Sequence, residues 1–157
     1  MRVVATGDTH GQLEKIKKEI KLLPGIDLLL HTGDHYRDGM TLGSQLQLKY
    51  HIVSGNCDSN EKVAREVILT LEGIKILLTH GHLQRVKLTM NNLYFRAREI
   101  GAGLVIFGHT HVPYLEKTGD TWFLNPGSPS YPRAGTKASY GLVEITASRI
   151  EPRLIYL

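Results

Sequence analysis

The chain of 157 residues is 41% hydrophobic and 22% charged, which is ordinary for a globular protein and long enough for a core, so we expect one domain over residues 1–157. Its formal net charge of +4 with neutral histidines mildly favours anionic ligands but is too small to indicate nucleic-acid binding. The single cysteine excludes an intrachain disulfide, no apolar run is long enough to span a bilayer, and the first motif comes too early for a signal peptide, so we expect a cytoplasmic protein.

The first part of the chain has the pattern of a βαβ unit. An apolar run leads into Gly7-Asp8, and apolar residues then recur at helical spacing from Leu13 to Leu23. Pro24-Gly25 ends this predicted helix, and a second apolar run leads into Gly33-Asp34. We therefore expect the two strands to be parallel neighbours in one sheet.

The middle of the chain gives weaker signals until a predicted hairpin. Residues 37–48 contain two glycines and little periodicity, and they predict a loop with a short helix. A further helix is expected to begin near Ser59 or Asn60, either of which could cap it. Two strand-like runs over residues 67–79 flank Glu72-Gly73, a pattern typical of a β-hairpin.

The remaining chain changes from helical to strand-like spacing. Apolar residues over 86–100 follow a helical period and predict a helix, with Gly101 as its C-cap. An apolar run over residues 104–107 then leads into Gly108-His109. Short strand-like runs between residues 114 and 157, separated by turns, predict an antiparallel sheet.

Polar side chains recur where the strand-like runs end. Because ligands bind at the carboxyl edge of open α/β sheets, this recurrence predicts a cluster of seven side chains at one rim of one sheet. The cluster would contain Asp8, His10, Asp34, Asn56, His80, His109 and His111. Its imidazole nitrogens and hard oxygens, with no thiolate required, suit Mn, Fe, Ni, Zn or Co. Seven groups are too many for one four-coordinate ion, so two ions sharing one carboxylate fit better.

The same set, in this order, resembles the binuclear (calcineurin-like) metallophosphoesterase superfamily. Three further blocks are similar to its small single-domain branch: Gly55-Asn56-Cys57-Asp58, Thr79-His80-Gly81-His82 and Asn125-Pro126-Gly127-Ser128. That branch includes archaeal and bacterial phosphodiesterases and, distantly, the scaffold subunit of the eukaryotic retromer. The resemblance covers essentially the whole chain and implies an α/β fold, a four-layer α/β/β/α sandwich of two mixed β-sheets flanked by helices.

The resemblance also implies a division of the ligands between two divalent transition-metal ions. One ion would take Asp8, His10, Asp34 and His111. The other would take Asp34, Asn56, His80 and His109, so that Asp34 bridges the two. The metals consistent with this set are Mn, Ni, Fe, Zn and Co.

The reaction implied by the resemblance is in-line attack of a metal-bridging hydroxide on a small phosphodiester, with Asp34 and Asn56 in catalytic roles. A phosphomonoesterase on the same site and a non-catalytic protein-binding scaffold of the same fold are the alternatives, and retention of every ligand position favours an enzyme. A nuclease is disfavoured, since the sequence has neither an aromatic stacking platform nor a dense basic stripe. No membrane partner is expected, and the sequence leaves open whether the chain forms a homo-oligomer.

Several residues beside the motifs are candidates for substrate contact or for support of the ligands. They are Cys57, Asp58, His82, His35 and Arg133. Cys57 departs from the wider superfamily, in which a histidine at this position acts on the leaving group. A thiol is a poorer proton donor to an alkoxide, so we do not expect strong general-acid catalysis. Asp58 could orient the region or cap the next helix, while Arg133 lies in a turn for which a structural role is favoured. His31 is interpreted as a core or supporting residue and His51 as structural.

Overall fold

A computed structural model describes residues 1–59 and 62–157. Within these ranges the chain forms ten strands and three helices. In chain order they are β1 (Arg2–Thr6), α1 (Glu14–Leu22), β2 (Leu28–His31), α2 (Tyr36–Leu46), β3 (Lys49–Ile52), β4 (Glu66–Leu71), β5 (Ile74–Thr79), α3 (Asn91–Ile100), β6 (Leu104–Ile106), β7 (Tyr114–Thr118), β8 (Thr121–Asn125), β9 (Ser139–Thr146) and β10 (Arg149–Tyr156). No helix in the described ranges is long and apolar enough to cross a membrane.

The strands form two five-stranded sheets, each with parallel and antiparallel pairs. The first sheet has the order β10-β9-β1-β2-β3, with β1, β2 and β3 parallel and β9 antiparallel to both of its neighbours. The second has the order β4-β5-β6-β8-β7, with β5, β6 and β8 parallel and both edge strands antiparallel. The predicted parallel pairing of β1 with β2 is therefore confirmed, as is the hairpin of β4 and β5.

The main core lies between the two sheets. Alternate residues of a strand point to opposite faces, so Val3 and Ala5 of β1 and Ile106 of β6 lie in this core. Val4 points outward and packs with residues of α1 and α2, while Val105 packs with residues of α3. The layers are thus two helices, the first sheet, the second sheet and one helix, which confirms the predicted four-layer sandwich.

The structure differs from the prediction of a loop with a short helix over residues 37–48. Helix α2 begins at Tyr36 and runs for 11 residues, to Leu46. Its two glycines obscured the helical pattern, and both are packing positions. A Cβ at Gly39 would lie 2.8 Å from the Cβ of His31, and a Cβ at Gly43 would collide with the ring of Tyr50. The glycines therefore allow α2 to lie close against β2 and β3.

Two other element predictions need correction. The helix predicted over residues 86–100 begins only at Asn91, and the residues before it, 82–88, form successive turns instead. Its predicted end is confirmed, since Gly101 is the C-cap with φ 66°. Of the two residues near which a further helix is expected to begin, Ser59 is described and is not helical, whereas Asn60 lies outside the described residues. Residues 62–65, which are described, form a turn and a bend rather than a helix.

The prediction that the strands after residue 113 form one antiparallel sheet is wrong. They form two hairpins, and each hairpin extends a different sheet: β7 and β8 join the second sheet, whereas β9 and β10 join the first. Strand β8 also pairs in parallel with β6. Sequence spacing shows which neighbouring strands pair in a hairpin, but it does not show which sheet receives them.

Candidate metal centre

The seven predicted ligand residues meet at the carboxyl ends of strands from both sheets, not at the rim of one sheet as predicted. Asp8, His10, Asp34 and Asn56 follow strands of the first sheet. His80, His109 and His111 follow β5 and β6 of the second. Each motif shows that a strand ends at a polar group, but only the face-to-face packing of the sheets brings the two edges together.

The loops that carry these side chains turn sharply. A left-handed φ is found at five of the seven residues: Asp8 (50°), His10 (47°), Asp34 (46°), His109 (71°) and His111 (60°). Asp, Asn and His adopt this conformation more readily than other non-glycine residues, although it still costs free energy. The backbone at Gly55 lies close to the side chain of Asp34, and only glycine fits there, since a Cβ would collide with Oδ1 of Asp34.

The side-chain donors form two groups that share one carboxylate. Asp8, His10, Asp34 and His111 each offer an atom, and these atoms lie within 4.8 Å of one another. Asp34, His80 and His109 form the second group by the same criterion. Each group has the donor types and compactness of a site that could hold a divalent metal ion.

A backbone contact fixes the tautomer of His80. Its Nδ1 donates to the carbonyl oxygen of Thr32 at 2.9 Å, because a carbonyl can only accept, so Nε2 of the neutral ring carries a lone pair. That lone pair faces Oδ1 of Asn56 at 3.1 Å and Oδ1 of Asp34 at 3.4 Å. Three acceptors converge here, an arrangement that a bound cation would satisfy.

In the group of Asp8, His10, Asp34 and His111, a backbone carbonyl fixes the tautomer of His111 in the same way. Nδ1 of His111 donates to the carbonyl oxygen of Tyr131 at 2.8 Å, which leaves a lone pair on its Nε2. That atom lies 3.4 Å from Nε2 of His10 and 3.6 Å from Oδ1 of Asp8. Oδ1 of Asp8 is buried and has no hydrogen-bond partner among the described residues. A buried carboxylate oxygen without a donor is costly, and a metal ion would compensate it.

The pKa values of the cluster also fit a bound cation. Burial, followed by repulsion from Asp34, raises the pKa of Asp8 to about 8. Burial also lowers the pKa of His80 and of His109 to about 4, so both imidazoles are neutral at ordinary pH and keep their lone pairs. The residues present therefore fit a divalent metal, which would favour the charged form of Asp8 and accept the imidazole nitrogens.

The other candidates named from the sequence lie around this cluster. The rings of His35 and His82 have their centroids 4.9 Å from that of His10 and 5.3 Å from that of His80, respectively. The backbone of exposed Arg133 donates to the carbonyl of His111 at 3.3 Å. Their contact with a substrate stays a prediction.

Cys57 and His31 differ in their relation to the metal-binding groups. Cys57 is exposed, and its backbone N–H donates to Oδ1 of Asp34 at 2.9 Å. His31 is fully buried and lies outside both groups; its Nδ1 accepts from the backbone of Gly33 at 3.2 Å, and its Nε2 lies 3.3 Å from Oγ1 of Thr9. His51 is exposed on β3 and belongs to neither group.

Some residues that support the loops were missed or only partly anticipated. Asp38 accepts from Oγ1 of Thr9 at 2.6 Å and from the backbone of Gly11 at 2.7 Å, and nothing in its local sequence indicated this role. Ser128 donates its hydroxyl to the carbonyl of Asp8 at 2.8 Å. It belongs to the Asn125-Pro126-Gly127-Ser128 block that carried the resemblance, which was the available signal.

Comparison with known proteins identifies the family. Residues 1–148 match the calcineurin-like phosphoesterase superfamily domain. The chain is 35% identical over 152 residues to the probable metallophosphoesterase YsnB of Bacillus subtilis, covering 92% of this chain and 85% of YsnB. It is 28% identical over 172 aligned positions to the phosphodiesterase YfcE of Escherichia coli K12, covering 92% of this chain and 88% of YfcE.

The fold is also similar to that of a solved structure. A crystal structure from Streptococcus pneumoniae TIGR4, described as that of a predicted phosphoesterase, superposes with a TM-score of 0.84 at 28% identity, covering 99% of this chain and 88% of the other. This fold similarity agrees with the family match and with the metal-binding groups at the strand ends. The chain therefore belongs to the calcineurin-like phosphoesterase superfamily and is a metal-dependent phosphoesterase.

Proposed function

We propose that the chain hydrolyses small phosphodiesters and uses two divalent metal ions to do so. The observation that carries the proposal is the overlap of the two donor groups at Asp34, which belongs to both. A carboxylate has two oxygens and can serve two cations at once. One group alone would need only one ion, whereas two groups joined by a shared carboxylate suit a two-metal site.

The proposed ligands follow the two groups. Asp8, His10, Asp34 and His111 would hold the first ion. The second would be held by Asp34, His80 and His109, together with Oδ1 of Asn56, which lies 3.1 Å from Nε2 of His80. All of these donors are nitrogen or oxygen, so the proposed metals are Mn, Ni, Fe, Zn or Co.

The charge of such a site suits a phosphate ester. Two divalent ions would bring four positive charges, while Asp8 and Asp34 contribute two negative ones and neutral imidazoles none. When bound, the ions supply positive charge for the phosphate and an activated water for attack at phosphorus. The positive charge of the two ions would exceed the negative charge of Asp8 and Asp34, and this excess would attract a phosphodiester anion.

Backbone carbonyls of the chain would orient the metal ligands, and the Asn56 amide would orient the ester. The carbonyls of Thr32 and Tyr131 hold His80 and His111 in the tautomer whose Nε2 is free of a proton. Asn56 is exposed, and among the described residues its Nδ2 makes only a 3.5 Å contact with Sγ of Cys57, so this amide can donate to a phosphoryl oxygen instead.

Preference for diesters rests on two considerations. YfcE, a relative at 28% identity over nearly the whole chain, is named a phosphodiesterase. A diester also carries one negative charge rather than the two of a monoester, so it depends less on a dense set of cationic side chains. Phosphomonoester hydrolysis at the same site is the alternative that an assay must separate.

The decisive experiment compares two substrates in protein stripped of metal and then reloaded. Purified chain is treated with EDTA, dialysed, and assayed with bis(p-nitrophenyl) phosphate and with p-nitrophenyl phosphate after addition of Mn, Ni or Zn, while bound metal is measured by mass spectrometry. We expect up to two ions per chain, no activity before reloading, and a higher kcat/KM for the diester. Fewer than one ion per chain, or activity insensitive to EDTA, would refute the two-metal site.

Asp34→Asn provides the residue-level test, with Asp120→Asn as its matched control. Asp34 is 3% exposed and belongs to both groups, whereas Asp120 is exposed in the turn between β7 and β8. We expect Asp34→Asn to bind less metal and to lose at least a hundred-fold in kcat/KM, as loss of the charge that the ions share predicts. Asp120→Asn should match the wild type in both measurements.

A further inference from the structure

A cavity of about 450 Å³ lies beside the candidate metal centre and is lined mainly by apolar side chains. We call it the aryl pocket; its lining includes Val86, Met90, Phe107, Thr110, Val112 and Tyr114. Thr110 stands between His109 and His111 in the sequence, so the aryl pocket and the centre share one loop. Its volume is that of a small-molecule site.

A larger cavity of about 720 Å³ has a different position and character. Its lining includes Ile74 and Gly103, which lie at the amino ends of β5 and β6, the edge opposite to the metal-binding groups. Three of its charged side chains are already paired, since Glu151 forms ion pairs with Arg149 and Arg153. Of these two cavities, the aryl pocket is therefore the one on the side of the metal-binding groups.

Two aromatic rings shape the aryl pocket. Phe107 is 2% exposed and packs against Tyr114 with ring centroids 6.1 Å apart. The Tyr114 hydroxyl is held elsewhere, by the hydroxyl of Tyr94 at 3.1 Å and by the carboxylate of Glu116. The hydroxyl of Tyr114 thus already has hydrogen-bond partners, and its ring contributes apolar surface to the aryl pocket. Aromatic and aliphatic walls of this kind favour a flat apolar ring.

The rim of the aryl pocket is cationic. Lys87 and Arg133 are both exposed and belong to its lining, and no acidic residue of the described chain does. The rim adjoins the centre, since the backbone N–H of Arg133 donates to the carbonyl oxygen of His111 at 3.3 Å. An apolar cavity with a cationic rim is complementary to an anion that carries an apolar group.

We propose that the aryl pocket binds an aromatic ester group of the substrate while the phosphate lies at the metal centre. The inference rests on the proposed function, which places the phosphate at that centre. It identifies the substrate class as aryl or nucleobase-bearing phosphate esters and makes Met90 and Val112 specificity-determining residues.

The test is a binding measurement that needs no turnover. Phenylphosphonate and methylphosphonate are titrated by calorimetry into protein loaded with Mn; a phosphoesterase does not cleave their carbon–phosphorus bonds. We expect phenylphosphonate to bind at least about tenfold more tightly, because burial of roughly 60 Å² more apolar surface is sufficient for that factor. A third ligand, the methylphosphonate ester of uridine at its 5′ oxygen, shows whether a nucleobase takes the place of the simple ring.

Variants identify the cavity responsible. Met90→Gln introduces a polar group of similar length and should bring the phenyl-to-methyl affinity ratio close to one, whereas Met90→Leu should keep it. Met40→Gln is the matched control, because Met40 is an exposed methionine of α2 outside the aryl pocket. Val112→Thr keeps the branched shape of the side chain but adds a hydroxyl, so it should lower the ratio if Met90→Gln fails to fold.

Two outcomes would overturn the inference: equal affinity of both phosphonates in the wild type, or an unchanged ratio in folded Met90→Gln and Val112→Thr. Failure of the proposed function would look different. The aryl preference in binding would then persist, although bis(p-nitrophenyl) phosphate was not hydrolysed with any of the metals.

Discussion

Replacement of Asp58 should loosen the Asn56 loop and the start of α2 together. Oδ1 of Asp58 accepts backbone hydrogen bonds from His35 at 2.9 Å and Tyr36 at 3.0 Å, and its Oδ2 accepts one from Gly55 at 2.8 Å. Asp58→Ala removes all three. Loss of a helix N-terminal acceptor costs about 1 kcal/mol and loss of a charged acceptor from a backbone donor about 1.5–3 kcal/mol, so we expect a total near 3 kcal/mol.

That loss can be measured as a shift in Tm. For a chain of this length 1 kcal/mol corresponds to about 2–4 °C, so Asp58→Ala should melt about 6–12 °C lower in metal-free protein, as followed by circular dichroism. Asp58→Asn keeps the acceptor for α2 and should lose about half as much. The kcat/KM for bis(p-nitrophenyl) phosphate should also fall, because the loop that carries Asn56 is less well held.

The matched control is Asp120→Ala, since Asp120 is exposed in the β7–β8 turn. If Asp58→Ala melts within 2 °C of this control, the three bonds do not stabilise the fold and the reasoning is refuted. If stability falls as expected but kcat/KM with saturating metal is unchanged, Asp58 supports α2 without positioning Asn56.

Two other predictions use the contrast between Asp34 and His31. Asp34→Asn should abolish most activity and His31→Gln should be milder, because only Asp34 belongs to a metal-binding group; equal losses in two folded variants would show that this assignment is wrong. Burial lowers the pKa of His31 from 6.5 to about 4, so the folded state binds fewer protons than the unfolded state. Its contribution to stability is full above pH 6.5 and is lost as the pH falls toward 4. His31→Gln should therefore flatten the fall of Tm over this range in metal-free protein, and an unchanged slope would contradict it.

Much of the fold was predictable because its signals are local. The β4–β5 hairpin follows from two strand-like runs around Glu72-Gly73, and the end of α3 follows from the left-handed residue Gly101. Parallel pairing of β1 and β2 follows from the handedness of a βαβ unit. In each case a few consecutive residues determine the outcome.

The features that could not be predicted depend on contacts between distant parts of the chain. Gly39 lowers the apparent helical signal of α2, and the positions of His31 on β2 and Ile52 on β3 explain why a larger residue is excluded. The start of α2 is fixed by Asp58, which follows it by more than twenty residues. The sequence predicted that Asp58 either orients its own region or caps the next helix, and it did not indicate a contact with α2.

The candidate centre shows the same division. Asp8 and His109 could be named because each follows a strand-like run, yet the closeness of their loops depends on two different sheets. The backbone of His109 donates to Oδ2 of Asp8 at 3.0 Å across that junction. Local patterns therefore identify the residues, and the packing of the sandwich determines their arrangement.

Cys57 determines how the proposed reaction should depend on the leaving group. Its thiol is exposed and lies 3.5 Å from Nδ2 of Asn56, and desolvation, followed by its contacts with Asp34, raises its pKa to about 11. Such a thiol is a much weaker acid than a histidine. General-acid assistance is typically worth about a hundred-fold to ten-thousand-fold, so without it esters of basic alcohols should react slowly.

A series of diesters graded by the pKa of the leaving alcohol tests this expectation in the wild type, Cys57→Ala and Cys57→His. An aryl ester leaves as a stable anion, whereas an alkyl ester leaves as a basic alkoxide that needs a proton. The wild-type rate should therefore fall steeply along the series, Cys57→Ala should change the aryl rate little, and Cys57→His should raise the alkyl rate selectively. Metal content is measured in each protein, because an imidazole beside Asn56 could bind an ion. A shallow wild-type dependence that becomes steep in Cys57→Ala would show instead that the thiol protonates the leaving group.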